Sequence, residues 1–172
     1  MLDLLLKRKS VRSYTGEGIS EEELNIILKA ADASPVGLKQ YENLHLTIIT
    51  NKELLNKIED VTAKAFNNYD KKRLYEAPVL IIISSKAMPM ENVMYSNAAI
   101  MSHNISLAAT ELNIGSCYIW GATAAISKNI EILKELNLPE GFVVCCGVIL
   151  GKTNEVYEIK EIPDRISKSY IK

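Results

Sequence analysis

The stretch from Asn92 to Asn113 is the longest helical pattern in the chain, and it is nearly apolar all round. Ala98, Met101, Ile105, Ala108 and Leu112 recur at helical spacing, while Ile100 and Leu107 fill other faces. Such a helix has to be covered on most of its sides. With the helix and strand patterns that alternate along the rest of the chain, it makes a mixed α/β or α+β sandwich. A single small domain struggles to supply that much cover, so the same pattern points to a partner subunit.

The strands of that sandwich are legible. Pro78–Ser84 and Phe142–Leu150 are continuous apolar runs rich in β-branched residues, as in strands covered on both faces. Leu44–Thr50 alternates, with Leu44, Leu46 and Ile48 on one side, and reads as a half-buried strand. Ser116–Trp120 is a short strand candidate, and Gly115 before it is a natural helix C-cap. Val156–Ile162 alternates again, as a trailing edge strand with nothing after it to cover it.

Helices fill the gaps. Leu2–Lys7 fits one or two turns, and the polar stretch Arg8–Gly18 reads as extended or loop. Ser20 and Glu23 fit a capping box, opening a helix to about Ala33 with Leu24, Ile27, Leu28 and Ala31 on one face. Pro35 and Gly37 break it. Thr50 and Glu53 suggest a second capping box, for a helix through about Asn67. Ser127–Asn137 reads as an amphipathic helix stopped by Pro139. No repeat or linker divides residues 1–172, so one domain is expected.

Composition excludes several classes of function. Twenty Lys and Arg against 21 Asp and Glu give a net charge of -1, which argues against a nucleic-acid coat or a polybasic membrane binder. The longest apolar run falls far short of the roughly 20 residues of a membrane-spanning helix. Asp3 inside the apolar start, with basic residues after it, is the wrong order for a secretory signal. Three cysteines, Cys117, Cys145 and Cys146, make no disulfide framework and suggest a reduced, cytoplasmic protein. With only His45 and His103, and no C-x-x-C pair, a structural zinc site is not expected.

Three segments could carry chemistry. Lys7-Arg8-Lys9-Ser10-Val11-Arg12 packs four cations and a hydroxyl into six residues. If extended, it projects Arg8, Ser10 and Arg12 to one side. Two guanidinium forks with a hydroxyl between them suit a phosphate; a solvated charge run fits the same residues. Ser34-Pro35-Val36-Gly37-Leu38 leaves a helix, turns, and places Gly where a backbone can approach a ligand closely. Gly115–Thr123 ends a strand at Trp120 and turns at Gly121-Ala122 toward a helix, where free backbone N–H groups could meet a planar heterocycle; a core Trp at a strand end is the simpler reading. Dinucleotide, phosphate-loop and nucleophile-elbow fingerprints are missing. The cysteines lie in apolar surroundings and read as inert.

Taken in order, these segments resemble the FMN-dependent nitroreductase family. Arg8-Lys9-Ser10-Val11-Arg12-Ser13-Tyr14 is similar to its R-x-S-x-R-x-[FY] opening. Ser34-Pro35-Val36-Gly37, followed by a strand through His45-Leu46-Thr47, resembles its second segment. Leu107–Ser116 resembles its L-A-A-x-x-L-G-x-G-S stretch, and Leu138-Pro139-Glu140-Gly141 before a buried strand ending at Gly151 also fits. The resemblance covers essentially the whole chain.

What the resemblance implies is an α+β sandwich, a mixed or antiparallel sheet flanked by helices, in a homodimer with exchanged C-terminal tails. It implies FMN at the dimer interface, NADH or NADPH as electron donor, and nitroaromatic, quinone or similar acceptors served by a ping-pong mechanism. It gives Arg8 and Arg12, with Lys9 and Ser10, to the FMN phosphate and ribityl chain. Pro35, Val36, Gly37 and Leu38 then line the flavin, and Trp120, Gly121 and Ala122 lie at its reactive edge. Arg165 stands where many members place a further phosphate-binding cation. No side chain is catalytic in itself, because the flavin carries the redox chemistry. The family's N-x-Q-P-W stretch is replaced by Leu38-Lys39-Gln40-Tyr41-Glu42, leaving Gln40 as the one candidate amide. The chain is also short between Asn67 and Pro78, where larger members shape the acceptor site. A flavin-storage module and a specialised flavin chemistry remain alternatives at this point.

Overall fold

The computed structural model describes residues 1–70, 72–88 and 90–172. Its elements run α1 (Leu2–Lys7), α2 (Glu21–Asp32), β1 (Leu44–Ile49), α3 (Lys52–Ala65), β2 (Val79–Lys86), α4 (Glu91–Glu111), β3 (Gly115–Ile119), α5 (Gly121–Ile126), α6 (Ile130–Glu135) and β4 (Phe142–Gly151). The sheet has the order β1-β2-β4-β3, and every neighbouring pair is antiparallel.

The two continuous apolar runs form the central strands β2 and β4. Ile81, Ile83, Val148 and Leu150 pack with Ile27 and Ala31 of α2 and Met101 and Ile105 of α4. Leu80, Ile82 and Ile149 face the other way, onto Ile58 of α3, Ile126 of α5 and Ile132 of α6. Helices therefore cover both faces, which is why these strands show no alternation. Burying each such side chain stabilises the fold by about 1.5–3 kcal/mol. The β2–β4 register shifts between Ile83 and Ser84, where Cys145 has no partner. The bulge puts Cys145 and Cys146 together on the α4 side of the sheet.

Local chemistry explains the element ends, including those the sequence misplaces. The Ser20–Glu23 capping box forms as expected. At α3 the cap is Asn51, whose side chain accepts from Leu54 N–H, and not Thr50. Asn is a stronger cap than Thr, and Glu53 then falls one position short of a capping-box partner. At the end of α4 the left-handed residue is Asn113 (φ 55°), not Gly115. Ile114 N–H donates to Ala109 O at 2.8 Å and Asn113 N–H to Thr110 O at 3.1 Å, a Schellman closure. Gly115 instead opens β3, where a Cβ would lie 2.9 Å from Val11 Cγ1 and 3.0 Å from Tyr14 Cε1. The helix expected over Ser127–Asn137 is shorter, α6 (Ile130–Glu135), and opens where the Asn129 side chain accepts from Ile132 N–H; a separate short helix, α5, has already ended at Ile126.

Met94, Met101 and Ile105 of α4 are covered within the chain, while Tyr95 and Ile100 stay 49% and 40% exposed. The expected edge strand over Val156–Ile162 does not form. Residues 152–172 carry no strand or helix, and Val156, Ile159 and Ile162 are exposed. A strand needs a neighbour, and among the described residues no strand of the same chain takes this one up.

Candidate functional site

The basic segment is extended and runs along the outer edge of β3. Val11, fully buried, donates its N–H to Ser116 O at 2.8 Å. Alternation about Val11 then separates the cations. Lys9 Nζ reaches Glu155 Oε2 at 2.7 Å and lies 5.6 Å from the centre of the Tyr157 ring. Arg8, Ser10 and Arg12 gather instead around Cys117. Burial pushes that thiol's pKa up, and Arg12, a Ser10 hydrogen bond and Arg8 act against the rise. Among the described residues no ion pair engages either guanidinium. The Arg12 guanidinium sits 5.8 Å from the Tyr75 ring centre. Arg8 lines a cavity of about 270 Å³ between β3 and α4.

The third segment shares the same strand. Trp120, directly after β3, is 64% exposed, and Ala122 is buried at the start of α5. A Cβ on Gly121 would lie 3.5 Å from the Phe66 ring. Cations near Cys117 and open aromatic surface beyond Ile119 thus lie along one sheet edge.

The second segment lies elsewhere. Gly37 N–H donates to Asn97 Oδ1 at 3.2 Å, and Asn104 Nδ2 donates to Ser34 Oγ at 2.9 Å. Asn97 and Asn104 are two turns apart on one flank of α4, and the Arg8 cavity uses Ala99, Ser102, His103 and Ser106, about half a turn round the same helix. One chain therefore does not bring Pro35–Leu38 to Arg8–Arg12. Val36 is buried, Pro35 and Gly37 are exposed, and Leu38 is 87% exposed. Leu38 and Lys39 hold φ of 56° and 58°, a left-handed conformation that costs about 1–2 kcal/mol per non-glycine residue. Gln40 Oε1 accepts from Asn43 Nδ2 at 3.2 Å within its own loop. Arg165 is exposed in the tail.

Four residues at this edge, Glu59, Phe66, Arg73 and Tyr75, carry no motif in the sequence. The Arg73 guanidinium stacks 4.6 Å from the centre of the Phe66 ring, the ring that abuts Gly121. Arg73 Nε is buried without a partner among the described residues. Glu59 fixes this loop by accepting the N–H groups of Arg73 and Leu74. Tyr75 completes the cluster beneath Arg12. Their sequence signal is only a mix of aromatics (Phe66, Tyr69, Tyr75) and cations in a segment that reads as merely short.

The Nitroreductase family model matches residues 5–152, and the chain belongs to that family. A relative from Archaeoglobus fulgidus, provisionally named an NADH dehydrogenase/NAD(P)H nitroreductase, is 27% identical over 172 residues, covering 99% of this chain and 95% of its own. The crystal structure of a nitroreductase with bound FMN from Desulfitobacterium hafniense shares the fold, with a TM-score of 0.85 at 24% identity over 99% of this chain and 97% of that one. A nitroreductase with bound FMN from Bacteroides fragilis gives a TM-score of 0.82 at 29% identity over 99% of this chain and 97% of that one. Among the described residues no helix is long and apolar enough to cross a membrane.

Proposed function

We propose that this chain is an FMN-dependent oxidoreductase that takes electrons from NADH or NADPH and works as a homodimer. The observation that carries the reading is the pair of guanidinium groups, Arg8 and Arg12, without carboxylate partners among the described residues, on the same sheet edge as exposed Trp120. FMN combines an anionic phosphate ester, a hydroxylated chain and a planar ring. Arg8, Arg12 and the Ser10 hydroxyl match the first two by charge and hydrogen bonding. Trp120, Phe66 and the backbone of Gly121 and Ala122 match the ring, and the unpartnered Arg73 Nε adds a donor beside it. The residues present therefore fit the group.

FMN, when bound, supplies the redox chemistry between a reduced nicotinamide and an organic acceptor. The chain's own residues hold and orient it. Glu59 fixes the loop that carries Arg73, so that cation is set in place before any ligand arrives. Exposed Leu38, on its strained turn, and Pro35–Gly37 would close the site from a second copy, because α4 separates them from Arg8 within one chain. With one open face, donor and acceptor would use the same place in turn, which gives ping-pong kinetics. The name of the Archaeoglobus relative supports nitro compounds as acceptors, and quinones are the related class.

The test is the visible spectrum of the purified protein under anaerobic conditions. A flavin spectrum that bleaches with NADH or NADPH is expected. A flavin that neither donor bleaches defeats the reductase reading, and a colourless protein that ignores added FMN defeats the cofactor.

A further inference from the structure

The geometry points to Glu59 as a positioning residue that tunes the FMN site from behind, by holding the loop of Arg73 in a strained, ready arrangement. The inference rests on the FMN reading above and concerns a residue that lies outside the site itself.

Glu59 projects from the middle of α3, whose Leu55 and Ile58 are buried against the sheet. Its mount is therefore rigid. One carboxylate oxygen accepts the Arg73 N–H, and the other accepts the Leu74 N–H at 2.8 Å. The loop so held has a back and a front. Glu59, Lys72, Leu74 and Glu76 line a cavity of about 610 Å³ behind it. Arg73 and Tyr75, which lie between them in sequence, do not line it. Arg73 stacks over Phe66, and Tyr75 lies against the Arg12 guanidinium. Glu59 thus grips the back of the loop while Arg73 and Tyr75 form its front.

The arrangement it holds is an uphill one. Tyr75 and Glu76 both take positive φ, 53° and 60°, where Cβ crowds the backbone. Arg73 Nε is buried with no partner among the described residues, which is destabilising until something accepts from it. Strain of this kind persists where the surroundings over-determine it, and it collects at binding sites. Lys72 and Glu76 pair across the loop, but both are exposed, so that pair holds little. The stronger grip is the Glu59 carboxylate, with two charge-assisted bonds made from a rigid helix. Without it the loop can relax and Arg73 can turn its Nε to water. A cation already held in place spares FMN the cost of ordering it, so the grip is read out as affinity.

The variant that tests this is Glu59→Gln, nearly the same shape, whose amide nitrogen would meet one of the two N–H groups with another donor. In flavin-free protein the Arg73 and Leu74 amides should exchange hydrogen faster than in wild type. FMN should bind about tenfold more weakly. The midpoint potential of the bound flavin should fall, because a cation fixed beside the ring favours electron uptake. Arg73→Ala should weaken FMN by itself, and adding Glu59→Gln to it should change affinity no further. Lys57→Ala breaks an exposed pair between the same helix and Glu135 and should move neither affinity nor potential. Unchanged affinity or unchanged potential in Glu59→Gln, or a second loss on top of that of Arg73→Ala, would overturn the positioning role. Equal losses in the Lys57 variant would overturn it too, since they would mark a general loosening of α3. Wild type that binds no FMN overturns the FMN reading and this role with it.

Discussion

Lys9 Nζ lies 2.7 Å from Glu155 Oε2, while Arg8 and Arg12 on either side of it have no carboxylate partner among the described residues. One basic run thus serves two ends. Its arginines face the candidate site, and its lysine fastens the root of the C-terminal tail. Other bonds hold the same root. The Thr153 hydroxyl donates to Ser13 O at 2.8 Å, the Tyr157 hydroxyl donates to Ile114 O at 2.7 Å, and Lys152 pairs with Glu23.

This root should loosen in acid. Lys9 holds the Glu155 carboxyl below its ordinary 4.5, and Lys152, with Ser20, does the same for Glu23. A depressed carboxylate stabilises the fold above its unfolded pKa, and that contribution fades as pH falls through the lowered folded value. Glu155→Gln should therefore cost stability at neutral pH, by less than about 1 kcal/mol for so exposed a pair. The melting difference from wild type should shrink below pH 4.5. Melting curves across pH 3 to 7 check it; a difference that stays constant would show that the charge on Glu155 contributes nothing.

Lys9 and Arg12 should behave oppositely toward FMN. Arg12→Ala removes a charge-assisted contact of about 1.5–3 kcal/mol, a tenfold or greater loss of affinity. Lys9→Ala should leave FMN affinity nearly intact and lower the melting temperature instead. Fluorescence titration of both apo-variants separates the two. A Lys9 variant as defective in FMN binding as the Arg12 variant would place the lysine in the site.

Much of this fold is legible because burial writes itself into composition. The unbroken runs at β2 and β4 announce strands covered on both faces. Ser20 and Glu23 announce the start of α2. What is illegible depends on partners far away in sequence. Gly115 looks like a helix cap, yet its small size is needed for Val11 and Tyr14. The period-two rule places Arg8, Ser10 and Arg12 together, but Glu155, 146 positions on, decides where Lys9 goes. Phe66, Arg73 and Tyr75 acquire meaning only when the fold sets them beside Gly121 and Arg12.

The cysteines should be dispensable for turnover. Burial pushes the Cys145 and Cys146 thiols up to about 11 and about 12, so both are protonated near neutrality and poor nucleophiles. Cys117 is also raised, despite the arginines nearby. Single substitution to Ala should cost roughly 0.5–3 kcal/mol of stability through packing. Turnover per bound flavin should persist. A variant at any of the three positions that keeps FMN yet loses turnover would overturn this.

The protein should be a homodimer whose flavin site needs both copies. Within one chain, α4 holds Ser34–Gly37 on the flank of Asn97 and Asn104, and the Arg8 cavity lies on the other flank. Tyr95 and Ile100 of the same helix are left open to solvent. Beyond the pinned root, the tail exposes Ile159, Ile162, Ile166, Tyr170 and Ile171. Each isoleucine so exposed forgoes about 1.5–3 kcal/mol that burial against a second copy would recover. FMN bound between two copies would also stabilise the dimer by mass action. Light scattering should give twice the 19.2 kDa chain mass. A chain ending at Asn154 loses Glu155, Tyr157 and the apolar tail together, and should shift toward monomer and release FMN. A full-length monomer that still holds FMN at micromolar concentration would sink the shared site. A truncated chain that stays dimeric and yellow would sink only the part given to the tail.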